Sequence, residues 1–193
     1  MKPDRNKEPP LSLPDLVRDG LDVLFVGINP SIFSAAQGHY FARNTNRFWP
    51  AFSRSVLSQT ARQGIGAADL KPEHDRLLLA HGFGFTDAVK RPTARASDLA
   101  PAEFAAAVTA LVEKLAWRQP RIACFHGMMA YRQVHRALVG PRSDPILGLQ
   151  SVRIGRSQIF VVPNPSPANA HFTLADQILW YDRLAARLDE GDG

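Results

Sequence analysis

One cysteine, Cys124, stands in a chain of 193 residues. A single thiol closes no internal disulfide, so oxidative stapling is excluded and a reducing, cytoplasmic setting is expected. Histidine is equally unclustered. His126, His135 and His171 stand apart, no Cys/His group has metal-ligand spacing, and no metal is expected. Long apolar runs are missing: no window approaches the ~20 residues of a membrane span, so no membrane partner is expected. The start, MKPDRNKEPPLSLPDLVRDG, lacks the apolar stretch of a secretory signal. There is no GxGxxG or Walker loop, which disfavours a phosphate-cradling nucleotide enzyme, and no GxSxG elbow. No cofactor is expected. Internal repeats are absent as well.

What is present is a chain for one core. Hydrophobic residues make up 45%, and 23 Lys and Arg against 18 Asp and Glu leave a net charge of +5. A basic balance suits a polyanion such as nucleic acid. The length suggests one domain. Charge and proline mark residues 1–19 as a flexible tail, residues 20–189 carry the domain, and 190–193 should fray.

Three continuous apolar runs read as strands buried on both faces: Leu21–Val26, Arg121–Phe125 and Gln158–Val162. Gly82–Thr86 is a weaker candidate. Helical spacing appears over Arg47–Ser58, Asp75–His81, Pro101–Trp117, Met128–Leu138 and Thr173–Leu188. Strands alternating with helices predict an α/β fold, a three-layer α/β/α sandwich with a short, mostly parallel central sheet. Ligands bind such sheets outside the carboxyl ends of the strands. That rule selects Gly27–Phe41, Thr86–Thr93 and Pro163–His171, with His126 ending another strand. Two of these loops pair asparagine with proline, GINPS at 27–31 and NPSPANAH at 164–171.

These two loops, with GHYFARNTNRFW at 38–49 and GFTDAVKRPTARASDL at 84–99, resemble the mismatch-specific uracil/thymine DNA glycosylases of the uracil-DNA glycosylase superfamily. The motifs keep their order from about Val23 to Leu188. The resemblance implies a monomeric enzyme, without cofactor, that flips mismatched uracil out of double-stranded DNA and hydrolyses its N-glycosidic bond. Thymine and other modified pyrimidines are further substrates it allows. Asn29 matches the asparagine that holds the attacking water. Phe41 matches the aromatic that stacks on the base, and backbone groups of Ile28 and Phe41 match those that meet its polar edge. Asn164 matches the second-motif asparagine beside the leaving base. Pro165, Ser166, Pro167 and Ala168 match the loop that enters the minor groove, with Asn169 and His171 following. Tyr40 is a second candidate wall. Arg43, Arg91, Thr93, Arg95 and His171 are candidate contacts to DNA.

The residue types make chemical sense without the family. A stacked base must be extruded before attack. A planar pyrimidine wants an aromatic face. A departing anionic base wants fixed dipoles. Asn29 can orient water, but an amide is not a base. Three positions depart from the family. Ser31 replaces a common glycine, and a side chain there would narrow the pocket in favour of uracil. Asp87 stands where relatives carry lysine or asparagine, and a carboxylate there is a candidate base. Ala168 replaces a leucine or arginine that fills the vacated stack, which opens the way to single-stranded uracil.

Blander readings stand beside these. Asn-Pro after a strand is ordinarily a turn. Asp87 alone suits a cap or an ion pair with Lys90 or Arg91. His126 suits a strand-end hydrogen bond. The rival functions are a glycosylase of shifted specificity, for single-stranded uracil or deaminated purines, and a non-catalytic nucleic-acid-binding domain.

Overall fold

The computed structural model describes residues 12–191. Five strands form one sheet, in the order β2-β1-β3-β5-β4. They are β1 Val23–Gly27, β2 Phe83–Asp87, β3 Ile122–His126, β4 Gly148–Ile154 and β5 Ser157–Val162. The first four strands of that order run parallel, and β4 lies antiparallel against β5 at the edge. The α-helices are α1 Ile32–Gln37, α2 Phe48–Arg54, α3 Gln59–Ile65, α4 Pro101–Arg118, α5 Met128–Val139 and α6 Leu174–Asp189. The expected three-layer α/β/α sandwich is the architecture found.

Two separate cores flank the sheet, as continuous apolar strands require. On one face Val23, Phe25, Phe83, Phe85, Cys124 and Val162 pack with Phe48 and Phe52 of α2 and Tyr181 of α6. On the other, Leu24, Val26, Ala123, Phe125 and Val161 pack with Phe104 and Leu111 of α4 and Tyr131 of α5. Side chains alternate along a strand. Gly27, Asp87 and His126 therefore share the face of Phe25, Phe85 and Cys124, the face carrying α2 and α6.

The four foreseen strands shift by one or two residues. Three elements were not foreseen. Helix α1 lies inside the supposed loop Gly27–Phe41; six residues are too few for an apolar stripe, and the helix depends on caps. Ser31 accepts from the Ser34 amide at 3.0 Å, and Gly38 closes the other end at φ +74°. Strand β4 hides because its alternation is inverted: Gln150 is 8% exposed while Leu149 is 42% exposed. The expected helix Arg47–Ser58 is broken at the extended Ser55, whose turn leads into α3. Asp75–His81 resolves to a short 3-10 segment, Leu77–His81.

Of the supposed tail, residues 1–11 lie outside the described residues. The rest is engaged before the expected boundary at 20. Leu13 is buried, and Leu16 exchanges backbone hydrogen bonds with Phe85 at 2.9 and 2.8 Å. Asp15 accepts from Thr86 Oγ1 at 2.6 Å, from Lys114 at 2.5 Å and from Lys90. Asp192 and Gly193 also lie outside the described residues.

Candidate active site

From β1 the chain moves to β2 on one side, then to β3 on the other. The crevice of an open α/β sheet opens where the strand order reverses in this way. A cleft of about 660 Å³ lies there, lined by Gly27, Asn29, Asp87, His126 and Asn164 among others. Asp87, Gly27 and His126 stand at the carboxyl ends of neighbouring strands. Gly27 is required at the centre. A Cβ there would come within 2.4 Å of Asp87 Oδ1, so the carboxyl leans over the glycine.

Asn29 follows β1 and is half-buried. Its Nδ2 donates to the Arg91 carbonyl at 2.9 Å, to Thr93 Oγ1 at 2.7 Å and to the Pro30 carbonyl at 3.2 Å. A carbonyl only accepts, so the amide is fixed with its nitrogen toward residues 91–93. The Oδ1 acceptor is left for the cleft. Thr93 passes the restraint on, its hydroxyl donating to the Arg95 carbonyl at 2.7 Å. Thr93 is 4% exposed. It braces Asn29 and offers little surface to DNA, in contrast to the contact expected from sequence.

Asp87 is 4% exposed, and its Oδ2 has no hydrogen-bond partner among the described residues. Burial pushes its pKa up to about 7, partly offset by Lys90, with Asp15 adding and Lys114 subtracting. Its suggested ion pair with Lys90 or Arg91 does not form. Lys90 pairs with Asp15, and Arg91 makes a two-pronged pair with Glu103 at 2.6 and 2.9 Å. A desolvated, unpartnered carboxyl in a cleft is a candidate for proton transfer.

The aromatic wall is built in layers. Phe41 stacks on Phe48 at 4.4 Å and 16°, and Tyr40 stacks on Phe85 at 5.2 Å. Phe41 holds φ at +52°, a left-handed backbone that a bulky residue seldom adopts. Its neighbours secure it. The Tyr40 amide donates to buried Asp75 at 3.0 Å, and the Ala42 amide donates to Ser34 Oγ at 3.2 Å. Tyr40 is buried, with its hydroxyl donating to the Pro14 carbonyl at 3.2 Å, so it serves chiefly as floor. Ser31 lines the cleft, but its hydroxyl turns to Ser34 Oγ at 3.0 Å. Ile28 is buried at the same wall.

The two Asn-Pro loops line the same cleft, and Arg47 ties the second of them to the start of α2. Its guanidinium donates to the carbonyls of Ser166 at 2.5 Å, Asn169 at 2.7 Å, Phe172, and Pro165 at 3.4 Å. Its own amide donates to the Pro165 carbonyl at 3.0 Å. Within the loop, Asn164 Oδ1 accepts from the Ser166 amide at 2.9 Å, and its Nδ2 has no acceptor among the described residues. Gly127 lets this loop approach. A Cβ there would meet Asn164 Cβ at 2.9 Å, and φ is +93°. Ser166, Pro167, Ala168 and Asn169 line the cleft. Pro165 is buried behind it, and His171 is exposed away from it.

At the rim stand Arg43, whose guanidinium lies 6.0 Å over the Phe33 ring, and Arg95. Arg91 lies outside the lining. Sequence reasoning missed Arg47, whose position before a helix gives no hint of a remote loop. It underweighted His126, which is 1% exposed and lines the cleft. Among the described residues no three His, Cys, Asp or Glu side chains are grouped to hold a metal ion, and no helix is long and apolar enough to cross a membrane.

Residues 14–185 match the family model described as the Uracil DNA glycosylase superfamily. Among solved structures, the solution NMR structure of a candidate uracil DNA glycosylase from Methanosarcina acetivorans is similar with a TM-score of 0.55. It is 20% identical, and the likeness covers 91% of this chain and 98% of that one. At that identity the likeness is one of fold.

Proposed function

Because the chain belongs to the uracil DNA glycosylase superfamily, we propose that it excises uracil from DNA by hydrolysis, with mismatched uracil in a duplex as its preferred substrate. The observation that carries this reading is the meeting of Asn29, Asp87 and Asn164 in one cleft walled by Phe41.

The uracil nucleotide is turned out of the helix and its ring is laid on Phe41. The bond between C1′ and N1 breaks, and its electron pair leaves with the base. Asn164 Nδ2, free to donate, faces the charge that develops on the base. The sugar becomes cation-like, so water suffices as nucleophile. Asn29 Oδ1 accepts a hydrogen of that water and aims its oxygen at C1′. Asp87, as carboxylate, takes the proton that the water sheds. The uracil anion then takes up that proton, so the products are free uracil and an abasic site. Ser31 supports uracil over thymine, because its side chain occupies cleft wall that a 5-methyl group would need. The small Ala168 supports acceptance of single-stranded uracil too.

A glycosylase assay tests this on labelled duplexes carrying U·G, U·A, T·G or hypoxanthine, and on single-stranded uracil, with alkali to break abasic strands. Wild type should cut U·G fastest. Asn29→Ala and Asp87→Asn should each slow single turnover by roughly 100-fold or more, the first through lost positioning of the water and the second through lost acid–base assistance. DNA binding without cleavage of any substrate would replace this reading with a non-catalytic binding domain.

A further inference from the structure

Two buried polar atoms at the cleft lack a partner among the described residues, Asp87 Oδ2 and His126 Nδ1. The reaction above uses the first and leaves the second idle. A buried donor or acceptor left unmade carries a desolvation cost that a fitting ligand removes.

The proton on His126 is placed by its neighbours. Nε2 lies 2.9 Å from the Tyr181 hydroxyl. The Gln177 amide is engaged elsewhere, donating to the Pro163 carbonyl at 3.0 Å. Among the described residues the buried Tyr181 hydroxyl has Nε2 as its partner, so its proton points there. Nε2 then accepts, and Nδ1 carries the ring hydrogen. The other tautomer strands the proton of Tyr181, a residue 0% exposed. Burial pushes the imidazole pKa down to about 3, so the ring is uncharged.

The ring's place is equally defined. His126 stands beside the Phe48–Phe41 stack, 5.4 and 5.1 Å from the two centroids and steeply inclined to both. A base laid on Phe41 continues that stack and brings an edge to the same side. Its sugar must face the mouth, toward the DNA. The deep edge is then the one opposite the sugar, which carries position 4 of a pyrimidine or position 6 of a purine.

We propose that His126 is a specificity-determining residue, its Nδ1–H donating to the carbonyl oxygen on the deep edge of the extruded base, with Tyr181 as the positioning residue that holds the tautomer. This rests on the reading of the cleft as a base pocket. Deamination places a carbonyl where cytosine and adenine carry an amino group. One N–H donor therefore welcomes uracil or hypoxanthine and opposes the parent bases, since two donors cannot pair.

The test separates recognition from cleavage. Affinity is measured for duplexes carrying 2′-fluoro-2′-deoxyuridine or 2′-fluoro-2′-deoxycytidine, which resist hydrolysis. Each stands opposite an abasic analogue, so extrusion breaks no pair. Wild type should prefer the uracil duplex by roughly 10- to 100-fold, as one buried polar match commands. His126→Phe keeps a ring and should bring the ratio near one. Tyr181→Phe frees the tautomer and should also shrink it, which decides the matter if His126→Phe does not fold. A ratio near one in wild type, or a ratio unmoved in the folded variants, overturns the proposal. Cleavage of U·G is run alongside. No cleavage, with the ratio present and His126-dependent, upholds His126 and sinks the hydrolysis; cleavage with an unmoved ratio sinks His126 alone.

Discussion

Burial acts on Asp87 twice, once on its chemistry and once on the stability of the chain. Its pKa is pushed up to about 7, with desolvation the largest cause and Lys90, Asp15 and Lys114 the charged neighbours. If the carboxylate accepts the water's proton, the single-turnover rate on uracil DNA should climb with pH around a midpoint near 7 and level above it. Asp87→Asn should be slow and flat. A flat wild-type profile would remove Asp87 from proton transfer. The stability effect has a definite sign. The folded pKa lies above the ordinary 3.8, so the folded state keeps a proton that the unfolded chain has released. The stabilising contribution is full below about pH 4 and is lost as pH rises through about 7. His126 works the other way. Its pKa falls from 6.5 to about 3, so its contribution is full above about 6.5 and is lost as pH falls. Asp87→Asn should therefore gain stability over wild type at pH 8, by up to about 4 kcal/mol, and little at pH 4. Urea unfolding at the two values checks this, and equal midpoints at pH 8 would refute it. Asp87 was legible in the sequence because a carboxylate at a strand end departs from the family's pattern. The weight of His126 was not, since it depends on Tyr181, 55 residues away.

Among the elements, the loop after β5 depends on a helix it never adjoins in sequence. Arg47 opens α2, where the helix dipole disfavours a cation. Its charge is taken up by the carbonyls of Pro165, Ser166, Asn169 and Phe172. Each charge-assisted bond is worth more than a neutral one, and the planar fork reaches several acceptors at once. Arg47→Ala should slow cleavage of duplex substrate by roughly 10- to 100-fold, the equivalent of losing about 1.5–3 kcal/mol of loop positioning. Amide exchange over residues 164–172 should quicken, while the strands stay protected. Arg47→Lys should recover little, because an ammonium keeps the charge and loses the fork. Full recovery by lysine would mean that charge alone is needed. Element positions were largely legible from apolar runs, and the misses have physical causes. Helix α1 is held by Ser31 and Gly38 and has no stripe. Strand β4 buries Gln150 and exposes Leu149. Loop contacts of the Arg47 kind exist only once the chain has closed.

The net charge of +5 says that DNA is a fitting partner, but only the folded molecule says which cations are free to meet it. Layer class followed from strands alternating with helices. The strand order, and hence the side on which the cleft opens, came from long-range pairing that no local pattern records. The same holds for the charges. Arg43, Arg91 and Arg95 look alike in sequence as phosphate contacts. In the fold, Arg43 and Arg95 stand at the cleft rim, while Arg91 is bound in a fork to Glu103 and also donates to the Asp98 carbonyl at 3.1 Å. A cation already paired displaces few counterions from DNA. Each free cation set on a phosphate contributes about 0.9 to the slope of log affinity against log salt. Arg43→Ala and Arg95→Ala should each flatten that slope by about 0.9, and the double variant by about 1.8. Arg91→Ala should leave it nearly unchanged. Titrations of an uncleavable uracil duplex across a salt series distinguish the three. If Arg91→Ala flattens the slope as much as Arg95→Ala, then the Glu103 pair opens on DNA, and Arg91 is a phosphate contact held in reserve.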